Sequence, residues 1–294
     1  MLALFALVAL LPFEAVEANM GTLFRIKLYA ADVPTADAAF RAAFARVRQL
    51  DETLSDYQPA SELNRLCQAP KGTVVPLSDD LFRVLVMSED LAKRSHGAFD
   101  VTVGPLTHLW RQARKQGRPP DATAIAEALT HSGYRHLHLD MRRRTARLDL
   151  DGMQLDAGGI GKGYAADQAL EVLTRLGIRS ALVAASGDLA FSDAPPGQAG
   201  WKIGLGGEER TRTLANCAVS TSGDAEQHLD AGGKRYSHVI DPRTGEGLTT
   251  GIRVTIIAPR GILADGLSKV VSVLGDRLSR RVVRSYLGVS ATVF

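Results

Sequence analysis

The chain has 294 residues, 45% hydrophobic and 23% charged, with a formal net charge of +3. That length buries enough surface to hold a core without covalent staples. The slight basicity, with no aromatic residues among the Arg142–Arg144 and Arg277–Arg284 runs, argues against a nucleic-acid platform, and the two cysteines, Cys67 and Cys217, without CxxC or a His/Cys cluster, exclude a disulfide framework and zinc spacing and leave two free thiols or one bridge.

Taken in chain order, Met1 to Pro12 is apolar and Val16-Glu17-Ala18 offers a small-residue cleavage site, so residues 1–12 are a candidate secretory signal. No Lys or Arg precedes the run, which leaves a first buried strand as the other reading, and the run is too short to span a bilayer. Phe13 to Tyr29 reads as an extended pair interrupted at Met20-Gly21-Thr22. Thr35 to Leu54 has the helical period, with Phe40, Ala43, Phe44, Val47 and Leu50 on one stripe. Ser78 is a good N-cap for a second helix, with Leu81, Leu85, Met87 and Leu91 inward, that stops near Ser95-His96-Gly97. Gln112 to Asp121 reads as an exposed loop and Ala122 to Ser132 as a short helix. Strands are expected at His136–Leu139 and Thr145–Leu150, joined by a basic turn. A helix is expected at Tyr164–Leu176, then strands at Ser180–Ala185, Trp201–Leu205, Asn216–Ser220, Tyr236–Ile240 and Arg253–Ile257. A helix pair at Ala264–Tyr286 completes the chain. The elements mix without strict alternation, which gives an α+β class; Cys217 reads as a small core residue.

Four segments carry chemistry. In LDAGGIGKGYAAD (Leu155 to Asp167) a strand is expected to end at Leu155-Asp156, glycines follow and a helix begins. Unpaired N–H groups at a helix start, glycines that let a ligand approach, and the Lys162 charge together suit a phosphate. The segment is neither a Walker A loop, since Gly163 follows Lys162, nor GxGxxG, so by itself it equally fits a glycine-rich strand-to-helix turn. Ser220-Thr221-Ser222-Gly223-Asp224 is a run of hydroxyls ending in a turn. SHVIDPRTG (Ser237 to Gly245) places His238 on a strand before an Asp-Pro turn; alone, that histidine reads as structural. TIIAPRGILADGLSK (Thr255 to Lys269) is a strand, a loop, and a helix starting near Asp265, with Asp265, Ser268 and Lys269 on one face.

With MGTLFRI, LDETLSDYQPASELNRL, GAFDVTVGPL, LDAGGIGKGYAADQA, SGDLA, STSGDAEQ, YSHVIDPRTGEGL and ADGLSKVVSVLG in that order from Met20 to about Gly275, the sequence resembles the FAD:protein FMN transferase (ApbE) family. The resemblance implies a single α+β domain over 13–294, with mixed or antiparallel sheets, flanking helices and FAD in a central cleft. It implies FAD contacts at Met20, Tyr57, Ala98, Phe99, Asp100, Asp156, Lys162 and Ile240. It further implies catalytic roles for His238 and Asp265, and Mg2+ bound by the Gly159 carbonyl, Asp265 and Ser268. The implied reaction moves the FMN half of FAD onto a Ser or Thr hydroxyl of a target redox protein, membrane-associated or periplasmic, with AMP leaving. Such a step needs positioning, charge stabilisation and a base, for which His238 is the candidate.

Two departures matter. The family's usual Thr four residues after the metal Asp is Lys269 here, and a charged ammonium cannot ligate Mg2+. The side chain swings away, or pairs with Asp265 and replaces the metal charge, or the protein binds FAD without transferring it; a non-catalytic FAD-binding protein and a hydrolase giving FMN and AMP are the competing functions. Ser186 stands where the family has Gly, a mild change unless that backbone needs positive φ. A Rossmann oxidoreductase is disfavoured because the dinucleotide fingerprint is absent.

Overall fold

Strands β1 (Leu11–Asn19) and β2 (Thr22–Ala30) form the expected hairpin, closed by Met20-Gly21 with φ of 50° and 71°. Positive φ at both turn residues matches the right-handed twist of the strands they join. The computed structural model describes residues 9–205, 211–223 and 228–294. The start of the candidate signal and Asp224 of the hydroxyl run lie outside them. Val16-Glu17-Ala18, the candidate cleavage site, lies inside β1 and pairs with Arg25, Phe24 and Leu23. β1 is an edge strand with much of its length exposed, and residues 1–8, on which the choice between a signal and a first buried strand mainly falls, lie outside the described residues.

Helix α1 (Val33–Leu54) follows, capped by Asp32, whose carboxylate accepts the Thr35 N–H at 2.8 Å, and it buries the stripe expected of it. Next come α2 (Glu62–Gln68), β3 (Val75–Pro76) and α3 (Asp79–Arg94), the last capped by Ser78 and stopped by His96 and Gly97 at positive φ. Helix α4 (Gly104–Gln116) corrects the loop expected from Gln112: Leu106, Trp110 and Ala113 are its buried stripe, and Gly117, at φ 69°, caps it. Four basic residues and two glutamines on its other faces hide that three-residue period from a composition-based reading.

Helix α5 (Ala122–Thr130) leads to β4 (Leu137–Asp140) and β5 (Thr145–Leu148), which with β3 make a three-stranded sheet. No strand ends at Leu155-Asp156: the segment is irregular and is tied to the end of the GAFD stretch, with Asp156 N–H donating to the Val101 carbonyl at 2.8 Å. Helix α6 (Gly161–Arg175) begins three residues earlier than expected. Then come β6 (Ala181–Ala185), β7 (Asp188–Phe191), the ribbon β8 (Trp201–Gly204) and β9 (Thr211–Leu214), β10 (Cys217–Ser222), and the ribbon β11 (His228–Ala231) and β12 (Lys234–Ser237). β12 stops before His238, so that residue is in a bend and not on a strand. β13 (Val254–Ala258), α7 (Gly261–Arg284) and β14 (Ser290–Val293) complete the chain. α7 starts a full turn before Asp265, and it breaks at Gly275 (φ 72°, ψ 173°), the junction of the expected pair.

The main sheet runs β1-β2-β6-β7-β10-β13-β14, and every pairing between described strands is antiparallel. Side chains alternate across its plane. Phe24, Ile26, Val183, Ala190, Ala218 and Ile256 face the core shared with α1, α6 and α7. Leu182, Phe191 and Val219 face the other way, under Trp201 and Leu205, and half-buried Cys217 packs at that edge. A smaller core, with Leu106, Trp110, Ala128, Leu229 and Ile240, joins α4, α5 and β11. Both thiols are free; burial pushes the Cys67 thiol up to about 11, and its Sγ accepts the Leu155 N–H at 3.2 Å. Among the described residues no helix is long and apolar enough to cross a membrane.

Candidate functional site

The alternation that puts Ala190 and Ala218 against the helices puts Asp188 and Ser220 there too, since each pair lies two residues apart on one strand. Asp188 opposes Ser220 in the β7–β10 register and accepts its hydroxyl at 2.6 Å. Above them the first turns of α6 and α7 cross at two glycines. A Cβ on Gly163 would stand 2.1 Å from the Gly261 carbonyl oxygen, and one on Gly261 would stand 2.4 Å from that of Gly163. Each helix caps the other: Asp265 of α7 accepts the Gly163 N–H at 3.1 Å, and Asp167 of α6 accepts the Gly261 and Ile262 N–H groups at 2.6 and 3.1 Å. Part of the amide array expected at the start of α6 is therefore satisfied within the protein, and the positive dipole end of α6 already faces a carboxylate.

Two lysines complete this centre. Lys162 Nζ donates to the Gly158 carbonyl at 3.0 Å and stands 3.5 Å from Asp188 Oδ2. Lys269 Nζ donates to Asp265 Oδ1 at 3.0 Å and to Ser268 Oγ at 3.0 Å, while Ser268 Oγ donates to the Asp265 carbonyl at 2.7 Å. Asp265 is 0% exposed. Burial works to raise its carboxyl, and the charges of Lys269 and Lys162 with the Gly163 N–H outweigh it, so the group is held below the usual carboxylate range. Burial and repulsion from Asp265 push the Asp188 carboxyl up, against the pull of Lys162. Burial works to lower the Lys162 ammonium, but Asp265, Asp188 and Asp156 raise it, so it stays charged.

The Gly158–Gly159 loop links this centre to the residues expected at the flavin. A Cβ on Gly159 would meet Lys269 Cγ at 3.3 Å and Phe99 Cε2 at 3.5 Å, and one on Gly161 would meet Met20 Cε at 3.5 Å. Asp156 accepts the Gly158 N–H at 2.7 Å and an Arg111 N–H at 2.9 Å. Arg111 also pairs with Asp56 and lies over the Tyr57 ring, 4.3 Å from its centroid, while that ring is 73% exposed. Met20, Tyr57, Phe99, Asp156, Gly159, Lys162, Asp265 and Ser268 thus form one connected chain of contacts. Asp100 points elsewhere: its carboxylate accepts the Thr102 N–H and hydroxyl and the Tyr134 N–H, at 2.7 to 2.8 Å, and shapes the GAFD turn in which Ala98 is buried.

Ile240 belongs to the smaller core, and His238, two residues before it, is half-buried. Ile240 bridges to Gly247 beside Trp110, and Trp110 Nε1 donates to the Gly245 carbonyl at 2.8 Å, which docks the IDPRTG turn on α4. The segment nevertheless reaches α7. Ser237 and Val239 share a cavity of about 10 Å³ with Ser222 and Ser272, room for about one water. Ser222 Oγ is buried there without a hydrogen-bond partner among the described residues, and Ser272 donates to the Ser268 carbonyl at 2.8 Å. Neighbouring residues of α4 therefore serve both flanks, Trp110 holding the IDPRTG turn and Arg111 holding Asp56 and Asp156. A larger depression of about 360 Å³, lined by Pro34, Thr35, Ala38, Ala39, Leu176 and Ile178, carries no ionisable side chain.

The donor set does not fit Mg2+ as arranged. Octahedral Mg2+ takes oxygen ligands at about 2.0–2.1 Å. Here one Asp265 oxygen holds an ammonium and the other an amide, and Ser268 Oγ already serves Lys269. Among the described residues no group of three His, Cys, Asp or Glu side chains is placed to hold a metal. Of the three outcomes for Lys269, the structure has the ion pair with Asp265.

Asp188 and Arg111 are not among the expected site residues, and Ser220 enters there only as part of the hydroxyl run. Asp188 had a legible signal, a lone acid between the Ser186-Gly187 turn and an apolar strand. Arg111 had none: it lies just before the stretch read as loop, in residues assigned to no element.

The ApbE family signature matches residues 20–293. The chain is 31% identical over 278 residues to the FAD:protein FMN transferase of Klebsiella pneumoniae, covering 90% of this chain and 79% of that protein. It is 32% identical over 302 residues to that of Treponema pallidum, covering 95% and 83%. Its fold superposes on the flavinyl transferase ApbE of Pseudomonas stutzeri, in the apo form, with a TM-score of 0.85 at 30% identity, covering 98% of this chain and 92% of that one. The ApbE protein of Thermotoga maritima gives 0.85 at 28% identity, covering 96% and 94%. With its signature matched almost from end to end and its fold shared, the chain belongs to the ApbE family.

Proposed function

We propose that this protein transfers the FMN half of FAD to a Ser or Thr hydroxyl of a target redox protein, releasing AMP. The observation that carries the reading is the pair of ammoniums at the Gly158–Gly159 loop, beside Phe99 and Met20. The acceptor oxygen bonds to the FMN-side phosphorus, the bond from that phosphorus to the bridging oxygen breaks, and negative charge gathers on the AMP phosphate. Fixed cations at that point lower the barrier without reorganising. Lys162 is held in place by Gly158 and Asp188, and Lys269 by Asp265 and Ser268. The exposed Tyr57–Arg111 stack offers a face to flavin or adenine, with buried Phe99 behind the loop.

His238 is the base in this reading, supported by its place in the segment that lines the cavity beside Ser272 of α7. The reading assigns no step to Mg2+. It includes an exported or periplasmic setting, supported by the apolar Met1–Pro12 stretch, and, from the family resemblance, an acceptor that is membrane-associated or periplasmic. The test is incubation with FAD and a Ser/Thr acceptor peptide, scored by the FMN mass increment and by AMP. An adduct with equimolar AMP is expected. AMP and FMN without adduct would make the protein a pyrophosphatase, and tight FAD binding without either would make it a carrier.

A further inference from the structure

The bond between Lys269 and Asp265 bears on what neutralises a bound pyrophosphate. Asp265 is 0% exposed and the Lys269 side chain 18%, so the pair is shielded from water. The ammonium is held by two internal acceptors, Asp265 Oδ1 and Ser268 Oγ, each at 3.0 Å. An ammonium has three N–H groups, and the third is what it can offer a ligand oxygen. Its own stem packs at Gly159, in the loop whose other glycine is touched by Lys162. A divalent ion could reach Asp265 Oδ1 only by expelling Lys269. A metal at coordination distance from that oxygen would lie within a few ångströms of the ammonium, where like charges repel strongly in a shielded site. Expulsion would also strip Ser268 Oγ of its donor.

We propose that Lys269 is a tethered cation that takes the place of a divalent metal in the pyrophosphate site, so that FAD binds without metal. The proposal rests on the reading of this site as an FAD site, and it commits the chain to an ammonium–phosphate contact. No covalent step is added.

The test measures FAD affinity of the full chain by flavin fluorescence, in EDTA and in millimolar Mg2+, with Mn2+ binding followed separately by electron paramagnetic resonance. For the wild type the two affinities should agree within about twofold, and Mn2+ should stay free; loss of one charge-assisted contact corresponds to about tenfold or more. Lys269→Thr should lose about tenfold or more in EDTA, recover in Mg2+ and gain a bound Mn2+. Lys269→Met, with neither charge nor ligand, should lose affinity in both buffers.

The proposal is overturned if wild-type FAD binding needs Mg2+, if the wild type binds Mn2+ at this site, or if Lys269→Met binds FAD as the wild type does. The wild-type arms decide it even should a variant fail to fold. FAD transfer is scored separately by mass. Metal-independent binding without an adduct would leave this proposal standing and remove the transferase reading; an adduct with strictly metal-dependent binding would do the reverse. Absence of FAD binding in both buffers would end both.

Discussion

Replacing Gly163 by alanine tests the helix crossing on which the site is built. The added methyl would stand 2.1 Å from the Gly261 carbonyl oxygen, 2.5 Å from its carbon and 2.8 Å from Asp265 Cβ, against 3.4 Å for ordinary contact. Two of those atoms are backbone, so relief requires α6 and α7 to separate by about 1 Å, and overpacking of this kind costs about 1–3 kcal/mol. The same separation stretches the 3.1 Å bond from Gly163 N–H to Asp265 beyond hydrogen-bond range, which adds about 1 kcal/mol for a lost cap. Alanine's better helix propensity returns about 0.5–1 kcal/mol. The net loss is about 1–3.5 kcal/mol, or a drop of about 2–6 °C in melting temperature for a chain of this size. Differential scanning calorimetry measures it directly. Gly204→Ala is the control, since a Cβ there meets nothing within 4 Å, and it should change stability by less than about 0.5 kcal/mol. A Gly163→Ala protein that melts with the wild type would refute the crossing geometry.

Arg111→Lys keeps the charge but loses the fork that joins Asp56 to Asp156, and should cost about 2–3 kcal/mol in urea unfolding; an unchanged midpoint would show that Arg111 does not hold the two carboxylates. Ser186 sits at φ 56° in the turn between β6 and β7, so the serine that looked a mild replacement for glycine occupies a left-handed position. Ser186→Gly should therefore stabilise by about 0.5–1 kcal/mol, and a lower melting temperature would contradict the strain. The Asp56 carboxylate, 3.6 Å from its Nε2, raises His108 above its ordinary 6.5. Burial works to raise Asp56, and the neighbouring His108 and the Arg111 guanidinium outweigh it, lowering the carboxyl below its ordinary 3.8. The His108 contribution is complete below its ordinary value and is lost as pH rises through the raised one; the Asp56 contribution is complete above its ordinary value and is lost as pH falls through the lowered one. His108→Asn should thus widen the melting-temperature gap to the wild type at a pH between about 4 and 6 and close it in mildly alkaline buffer; a gap independent of pH would count against the pair.

The sequence revealed elements whose signals are local. The Phe40 to Leu50 stripe, the Ser78 cap and the i, i+4 spacing of Asp265 and Lys269 follow from helix geometry, and the structure has each of them. Lys162 and Gly159 stood out by composition and do meet at one loop. What stayed hidden depends on partners far along the chain. Arg111 matters because Asp56 and Asp156 converge on it, 55 and 45 residues away. Asp188 matters because the β7–β10 register brings Ser220 opposite it. The strand expected at Leu155-Asp156 failed because that segment is held by Val101 and Cys67 and not by a ladder. His238 lost its strand because β12 ends at Ser237, whose N–H donates to the Leu248 carbonyl at 2.7 Å.

Reciprocal capping has an evolutionary consequence. Gly163 to Asp167 and Gly261 to Asp265 both read Gly-x-x-Ala-Asp, and each aspartate terminates the other's helix. Asp265 thereby serves the fold as a cap, and that service alone suffices to retain it. Position 269 carries no such debt: among the described residues its side chain meets the backbone of no other helix through a hydrogen bond, and its stem fits at Gly159. On the proposal made for Lys269, a change from metal to ammonium needs a change only at residue 269 and leaves the aspartate as it is. The residue that discloses the charge carrier is then the one four places after the aspartate, and the aspartate itself discloses only that the helices cross.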